Sequence, residues 1–214
     1  MTAVDLIIFD FDGTLVDTGK DIVQSVNYTL RELSIAEKTS EEIIAYIGEG
    51  VQKLIEKSIG SENREEYEIA KGIFMKYYGE HLLDNTILYP GVTEVLQHFE
   101  SKRKWIVTNK LHAFTTIIAE RLQVTYFFDG ILGRDSISFA KPDARVVHGI
   151  LKRYGIPKDR TVVVGDGIFD IEMAKNAGVW SCAFLNGFGE RETLLRLNPD
   201  FSYRNITELM ALFC

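Results

Sequence analysis

The run Leu6-Ile7-Ile8-Phe9-Asp10-Phe11-Asp12-Gly13-Thr14-Leu15 sets two carboxylates, Asp10 and Asp12, at the point where a short apolar segment stops, and follows them with a glycine that lets the backbone turn sharply. Each acid raises the cost of ionising the other unless a cation stands between them, so the pair points to a divalent metal, a shared proton or a reaction. Other apolar segments also stop at polar groups. Trp105-Ile106-Val107 is followed by Thr108-Asn109-Lys110, Gly133 and its loop by Lys141-Pro142, and Val162-Val163-Val164 by Gly165-Asp166-Gly167-Ile168-Phe169-Asp170. A hydroxyl, an ammonium and several carboxylates gathered at one edge suit a phosphoryl group held with a magnesium ion, because oxygen donors and anionic charge favour hard cations.

Those groups meet only if the segments that carry them lie side by side. Strand-like apolar stretches at residues 4–9, 105–108, 130–132, 161–164 and 181–185 alternate with helical stripes. The stripes are Val92, Val95, Leu96 and Phe99; Phe114, Ile117, Ile118 and Leu122; and Val146, Val147, Ile150 and Leu151. This alternation predicts an α/β fold, a Rossmann-like parallel sheet with helices on both faces and ligands bound beyond the carboxyl ends of the strands. Residues 16–85 break the pattern and read as helices throughout, with Ile22, Val26, Leu30 and Leu33 on one face and Tyr67, Ala70, Phe74, Tyr77 and His81 on another. The expected organisation is a core of residues 1–15 and 86–214 with an all-helical domain, 16–85, inserted into it and the sheet resumed near Tyr89-Pro90-Gly91. Asp17 reads as the start of the first inserted helix, and Tyr126-Phe127-Phe128 as packing beneath the third strand.

With 214 residues and 46% hydrophobic content, the chain can bury a full core. Its net charge is −7, and residues 16–85 hold 8 Lys and Arg against 14 Asp and Glu, so nearly all the acidity belongs to the insertion. That balance argues against a nucleic-acid partner, whose backbone draws on clustered cations. Apolar runs fall far short of the roughly 18 residues of a membrane span, and Asp5, Asp10 and Asp12 stand where a signal peptide would be basic and then apolar. The chain therefore reads as cytoplasmic and not membrane-bound. Cys182 and Cys214 suggest neither a disulfide framework nor a thiolate metal site, and His81, His98, His112 and His148 show no ligand spacing.

Taken together, Asp10-Phe11-Asp12-Gly13-Thr14, Thr108-Asn109, Lys141-Pro142 and Gly165-Asp166 with Asp170 resemble, in order, the four motifs of the haloacid dehalogenase superfamily. The insertion directly after the first motif resembles that family's small helical cap. Val107-Thr108-Asn109-Lys110, Gly48-Glu49-Gly50 and Gly187-Phe188-Gly189 are most similar to its phosphoglycolate phosphatase branch. The resemblance implies that Asp10 attacks phosphorus and becomes phosphorylated, and that Asp12 protonates the leaving alkoxide and then deprotonates water. Thr108, Asn109 and Lys141 would hold phosphoryl oxygens. It assigns Mg²⁺ to Asp10, the backbone carbonyl of Asp12 and Asp166, with Asp170 acting through water or by orienting Lys141. The implied partner is a small phosphorylated metabolite, and the implied state a monomer or homodimer.

Substrate choice would rest with the cap, since the sheet edge handles only the phosphoryl group. Gly48-Glu49-Gly50 reads as a tight turn between two cap helices, and Lys53, one turn further on, could meet a substrate carboxylate that an inward Glu49 would repel. Two positions depart from the family pattern, Ala144 where a second proline is frequent and Gly167 where a small hydroxyl residue is frequent. Asp12 favours phosphate chemistry over dehalogenation, whereas a phosphosugar mutase, pyrophosphatase or nucleotidase of the same superfamily would retain it. A phospho-acceptor signalling domain also gathers acids, Thr and Lys at strand ends, but has no 70-residue insertion and no second acid at the Asp12 position.

Overall fold

The computed structural model describes residues 1–214. Its strands are β1 (Leu6–Phe9), β2 (Val16–Asp17), β3 (Ile87–Leu88), β4 (Arg103–Val107), β5 (Gly130–Leu132), β6 (Thr161–Gly165), β7 (Trp180–Phe184) and β8 (Phe201–Tyr203). Between β2 and β3 lie helices α1 (Gly19–Glu32), α2 (Ser40–Ile44), α3 (Val51–Ile59) and α4 (Arg64–Glu80). The remaining helices are α5 (Val92–His98), α6 (His112–Arg121), α7 (Ala144–Tyr154), α8 (Ile168–Ala177), α9 (Arg191–Arg196) and α10 (Leu209–Leu212). No helix is long and apolar enough to cross a membrane.

Six strands form one parallel sheet in the order β5-β4-β1-β6-β7-β8. All of β1 is apolar and buried because helices cover both faces, and its side chains divide with period two. Leu6 and Ile8 pack with Val147 and Ile150 of α7 and Met173 of α8, whereas Ile7 and Phe9 join the larger cluster that holds Val95 and Leu96 of α5. The chain crosses from one side of β1 to the other between β5 and β6, so the strand order reverses beside β1. A crevice opens at such a reversal, at the carboxyl ends of the strands. In register, Phe9 lies between Ile106 and Val164, which sends Asp10, Thr108 and Asp166 out of the same edge.

The segment between β2 and β3 is helical because apolar residues recur at helical spacing and polar residues close the ends. Ile22, Val26 and Leu30 bury one face of α1, and Thr39 and Asn63 cap α2 and α4 with their side chains. Where the chain leaves and re-enters the core it forms a short antiparallel ribbon, Val16 with Leu88 and Asp17 with Ile87. Asp21, only 1% exposed, clasps the return strand beside this ribbon. It accepts hydrogen bonds from the backbone N–H and Nδ2 of Asn85, at 3.0 and 2.7 Å, and from the N–H and hydroxyl of Thr86, at 2.8 and 2.7 Å.

Several sequence expectations need correction. Residues 16–85 are not helical throughout, since Val16 and Asp17 belong to β2 and Asp17 therefore precedes α1 rather than opening it. On α4 the third buried residue is Tyr78, four after Phe74, and Tyr77 instead stacks at the half-buried surface between Tyr28 and His81. Ile117 is 42% exposed on α6, and Tyr126 is 72% exposed while Phe127 and Phe128 pack inward. On α4 and α6 the errors have one origin, an apolar residue counted into a stripe whose width the neighbouring element sets. Strands β2, β3 and β8 were too short to show any alternation.

Replacing Asp21 with Ala would strand four donors at the ribbon. We expect Asp21→Ala to lose about 3 kcal/mol of stability in urea unfolding. A loss below about 1 kcal/mol would show that the β2–β3 pairing alone fastens the crossing.

Candidate active site

Three loops deliver the charged residues. Directly after β1, the Phe11 N–H donates to Asp10 Oδ1 at 2.6 Å, and Gly13 turns the chain with a positive φ of 80°. A Cβ at Gly13 would run into the Asp166 carboxylate and the Phe188 ring, so the turn needs glycine for space as well as for angle. After β6, Asp166 is held from two sides, by the Thr14 hydroxyl on Oδ1 and by the Phe188 N–H on Oδ2 at 2.7 Å. Gly187 must approach Asp166 and the Gly13 carbonyl too closely for any side chain. Asp170, in the first turn of α8, accepts the Gly167 N–H at 3.0 Å.

Lys141 binds this set together. Its buried Nζ lies 2.8 Å from Asp10 Oδ1 and 2.7 Å from Asp170 Oδ1. Burial opposes its charge, yet Asp10 and Asp170 outweigh that effect and raise its pKa, so the ammonium is retained. Asp166 and Asp170 are held well above the usual carboxylate range, by burial first and by the negative charge of Asp10 second. Oxygens of Asp10, Asp166 and Asp170 come within 4.8 Å of one another. One ammonium cannot balance three carboxylates, and the donors are all hard oxygens. The cluster thus fits a divalent cation of the magnesium kind.

Asp12 points away from this cluster. Its Oδ1 accepts the Thr18 hydroxyl at 2.8 Å, and both oxygens receive Lys110 Nζ, at 3.1 and 3.2 Å. Lys110 also donates to the Tyr78 hydroxyl at 2.6 Å. Asp10, Asp12, Thr108 and Lys141 line a cavity of about 60 Å³, closed on its far side by apolar residues of α1, α3 and α4 and by Gly48 and Gly50. Asn109 reaches it too, but its Nδ2 donates to the Gly48 carbonyl at 2.8 Å and to the Lys141 carbonyl at 3.4 Å.

The structure thus brings Asp10, Asp12, Thr108, Asn109, Lys141, Asp166 and Asp170 to one crevice, with the Asp12 carboxylate outside the three-acid group. Glu49 and Lys53 are not on the wall of the 60 Å³ cavity. Glu49 pairs with Lys57, and Lys53 with Glu56 at 2.7 Å, both beside a more open cavity of about 250 Å³ that also touches Asn109 and Lys141. Sequence reasoning placed Thr14 in the first motif without a role, and missed Thr18, Tyr78 and the interaction of Lys110. Lys110 adjoins a recognised motif and could have been found, whereas Tyr78 gives no signal because only the fold brings α4 over β4.

The model of the haloacid dehalogenase-like hydrolase family matches residues 7–184. The chain is 34% identical to the phosphoglycolate phosphatase of Aquifex aeolicus over 97% of its own length and 95% of that protein's. It is 31% identical to the phosphoglycolate phosphatase of Agrobacterium fabrum, over 91% and 86% of the two chains. Among solved structures, a predicted phosphoglycolate phosphatase from Haemophilus somnus superposes with a TM-score of 0.94 at 25% identity, covering 99% of each chain. A haloacid dehalogenase-like hydrolase from Streptococcus pneumoniae does so with a TM-score of 0.88 at 28% identity, again covering 99% of each.

Because Asp166 and Asp170 are raised, the metal-free native state binds more protons than the unfolded chain from about pH 4 towards neutrality, and its stability falls as pH rises through that window. A divalent cation takes the place of those protons. The Tm of metal-free protein should therefore be at least about 3 °C lower at pH 8 than at pH 5, with Mg²⁺ raising it more at pH 8. A metal-free Tm that climbs over this range and ignores Mg²⁺ would contradict the charge balance.

Proposed function

We infer that this chain, which belongs to the haloacid dehalogenase-like hydrolases, is a phosphatase that cleaves a small phosphomonoester of the phosphoglycolate kind by way of a phosphorylated Asp10. The observation that carries the reading is the placement of Asp10. Its Oδ1 is engaged by Lys141 and the Phe11 N–H while Oδ2 makes no hydrogen bond, and the residue lies on the cavity wall with Thr108 and Lys141. A carboxylate held by one oxygen presents the other as a nucleophile.

In the first step Oδ2 of Asp10 bonds to phosphorus, the phosphorus–ester oxygen bond breaks, and Asp12 gives its proton to the departing alkoxide. In the second, water attacks phosphorus, Asp12 takes a proton from it, and the Asp10 carboxylate is regenerated as phosphate leaves. Lys141 and Thr108 hold the non-bridging oxygens and offset the charge that develops on them. Asp10, Asp166 and Asp170 would hold Mg²⁺, which supplies the positive charge that lets a dianionic ester approach these acids. We take α1 to α4 as a cap that excludes water and limits the leaving group.

Val51, Leu54 and Phe74 of the helical segment stand across the cavity from Asp10 and Thr108, which supports a small substrate. The cavity wall carries two cations, Lys141 and Lys110. Lys141 is shared between Asp10 and Asp170, and Lys110 between Asp12 and the Tyr78 hydroxyl, so both bring positive charge to the wall that an anionic substrate meets. Lys53, bonded to Glu56, is not needed for this reading.

Phosphate release from phosphoglycolate, pyrophosphate, nucleoside monophosphates and hexose phosphates tests the substrate class, and phosphoglycolate should give the highest kcat/KM. With p-nitrophenyl phosphate, EDTA should abolish turnover and Asp10→Asn should lower kcat by at least about 10³-fold. Metal-independent turnover, or an Asp10→Asn enzyme that retains its asparagine and its rate, would overturn the mechanism. Asp12→Asn should cost about 10² to 10⁴ in kcat with an alkyl phosphate and far less with p-nitrophenyl phosphate, whose leaving group needs no proton.

A further inference from the structure

Two cavities meet at Asn109 and Lys141, which line both. The smaller holds Asp10 and Thr108 and is walled on its far side by Val51, Leu54 and Phe74. A leaving-group carboxylate pressed against those side chains would lose its water and gain no donor. The larger, of about 250 Å³, lies between Glu49 and Lys53 of the helical segment and the loop that joins β5 to α7, from which Arg134, Ser138 and Phe139 face it. An ester whose phosphoryl group stands at Asp10 and Lys141 can therefore extend past Asn109 into a polar space.

The charged groups on the larger wall are satisfied with one exception. Glu49 pairs with Lys57, Lys53 with Glu56 at 2.7 Å, Asp143 with Arg145 at 2.6 Å, and Lys141 with Asp10 and Asp170. The exposed Arg134 guanidinium makes no ion pair and no hydrogen bond. Its backbone, by contrast, is fixed. The Arg134 N–H donates to the Lys110 carbonyl at 2.9 Å, the Asp135 carboxylate accepts the His112 N–H at 2.8 Å, and the Ser136 hydroxyl accepts the Gly133 N–H at 2.9 Å. A Cβ at Gly133 would strike the His112 backbone, so the loop lies tight against the start of α6. A free guanidinium on an anchored backbone suits a carboxylate, which its planar fork grips with two parallel hydrogen bonds.

We propose that Arg134 binds the free carboxylate of the substrate, so that the leaving group lies in the larger cavity and the ester selected is one whose alcohol portion ends in an anion. The inference rests on the phosphatase reading above and gives its substrate class a recognition residue. Discrimination by charge then comes from the β5–α7 loop of the core, while α3 and α4 supply the apolar wall that limits size. Lys53, whose charge Glu56 and Glu62 already meet, has no part in it.

Ethyl phosphate replaces the carboxylate of phosphoglycolate with a methyl group, and phosphoethanolamine ends in an ammonium instead. Arg134→Gln should lower the ratio of kcat/KM for phosphoglycolate to that for ethyl phosphate about 10-fold, mostly through KM, as expected for the loss of one charge-assisted pair. Arg134→Lys should keep the ratio within about 3-fold of wild type, since the charge remains and only the fork is lost. Arg134→Glu should raise kcat/KM for phosphoethanolamine above that for phosphoglycolate. Lys53→Met should move the ratio less than about 2-fold, because its charge is already paired at the surface. A ratio that Arg134→Gln and Arg134→Glu leave unchanged overturns the proposal, as does an equal loss on both esters, which marks a structural role, or a ratio that follows Lys53 instead. Wild-type protein that hydrolyses ethyl phosphate as readily as phosphoglycolate has no carboxylate preference and overturns it too. Wild-type protein that hydrolyses neither ester sinks the phosphatase reading along with this inference, which sets that failure apart from the others.

Discussion

The carboxylates of Asp10, Asp166 and Asp170 are buried against one another with the Lys141 ammonium alone among them, and the placement of most nearby residues follows from making that tolerable. Lys141 satisfies Asp10 and Asp170 at once, while Asp166 is left to the Thr14 hydroxyl and the Phe188 N–H. Neutral donors orient a carboxylate but do not cancel its charge, so an unmet demand for positive charge persists where the strand order reverses. The sheet can carry such a group because both of its faces are closed by helices. The rigidity of β1, β4 and β6 then fixes oxygen positions that loops alone would let drift.

What the sequence disclosed depended on whether a residue acts through its place in the chain or through its place in space. Asp10, Asp12, Asp166 and Asp170 each follow an apolar run or open a helix, local signals that locate them at one edge, and Lys141 was placed with them by the motif it forms with Pro142. The five principal strands and the three stripes on α5, α6 and α7 were visible for the same reason. Thr18 and Tyr78 were not, because nothing in their neighbours marks a residue whose partner lies on another element. Glu49 and Lys53 show the converse. Their charges looked directed at a substrate, yet Glu56 lies one turn from Lys53 on α3, and Lys57 of the same helix reaches Glu49 in the turn before it.

The two halves of the crevice differ in character. On the sheet side it is polar and densely hydrogen-bonded, as suits a group whose charge must be matched atom by atom. On the helical side it is mostly apolar, with Phe74, Leu54 and Val51 presenting surface in place of donors. An apolar wall recognises shape and excludes water, but discriminates weakly between small ligands. Asn109 and Lys110 are where the two halves meet, which explains why so short a stretch of chain carries so many bonds.

The ribbon of β2 and β3 places the departure and return of the chain on neighbouring positions. To the sheet, everything from α1 to α4 is one short excursion, and lengthening it adds little entropic cost because both ends are already pinned. Whole excursions could be exchanged at this junction during evolution while the strands beneath kept their register. Diversification of such proteins would then proceed by grafting at a fixed gateway rather than by remodelling the sheet.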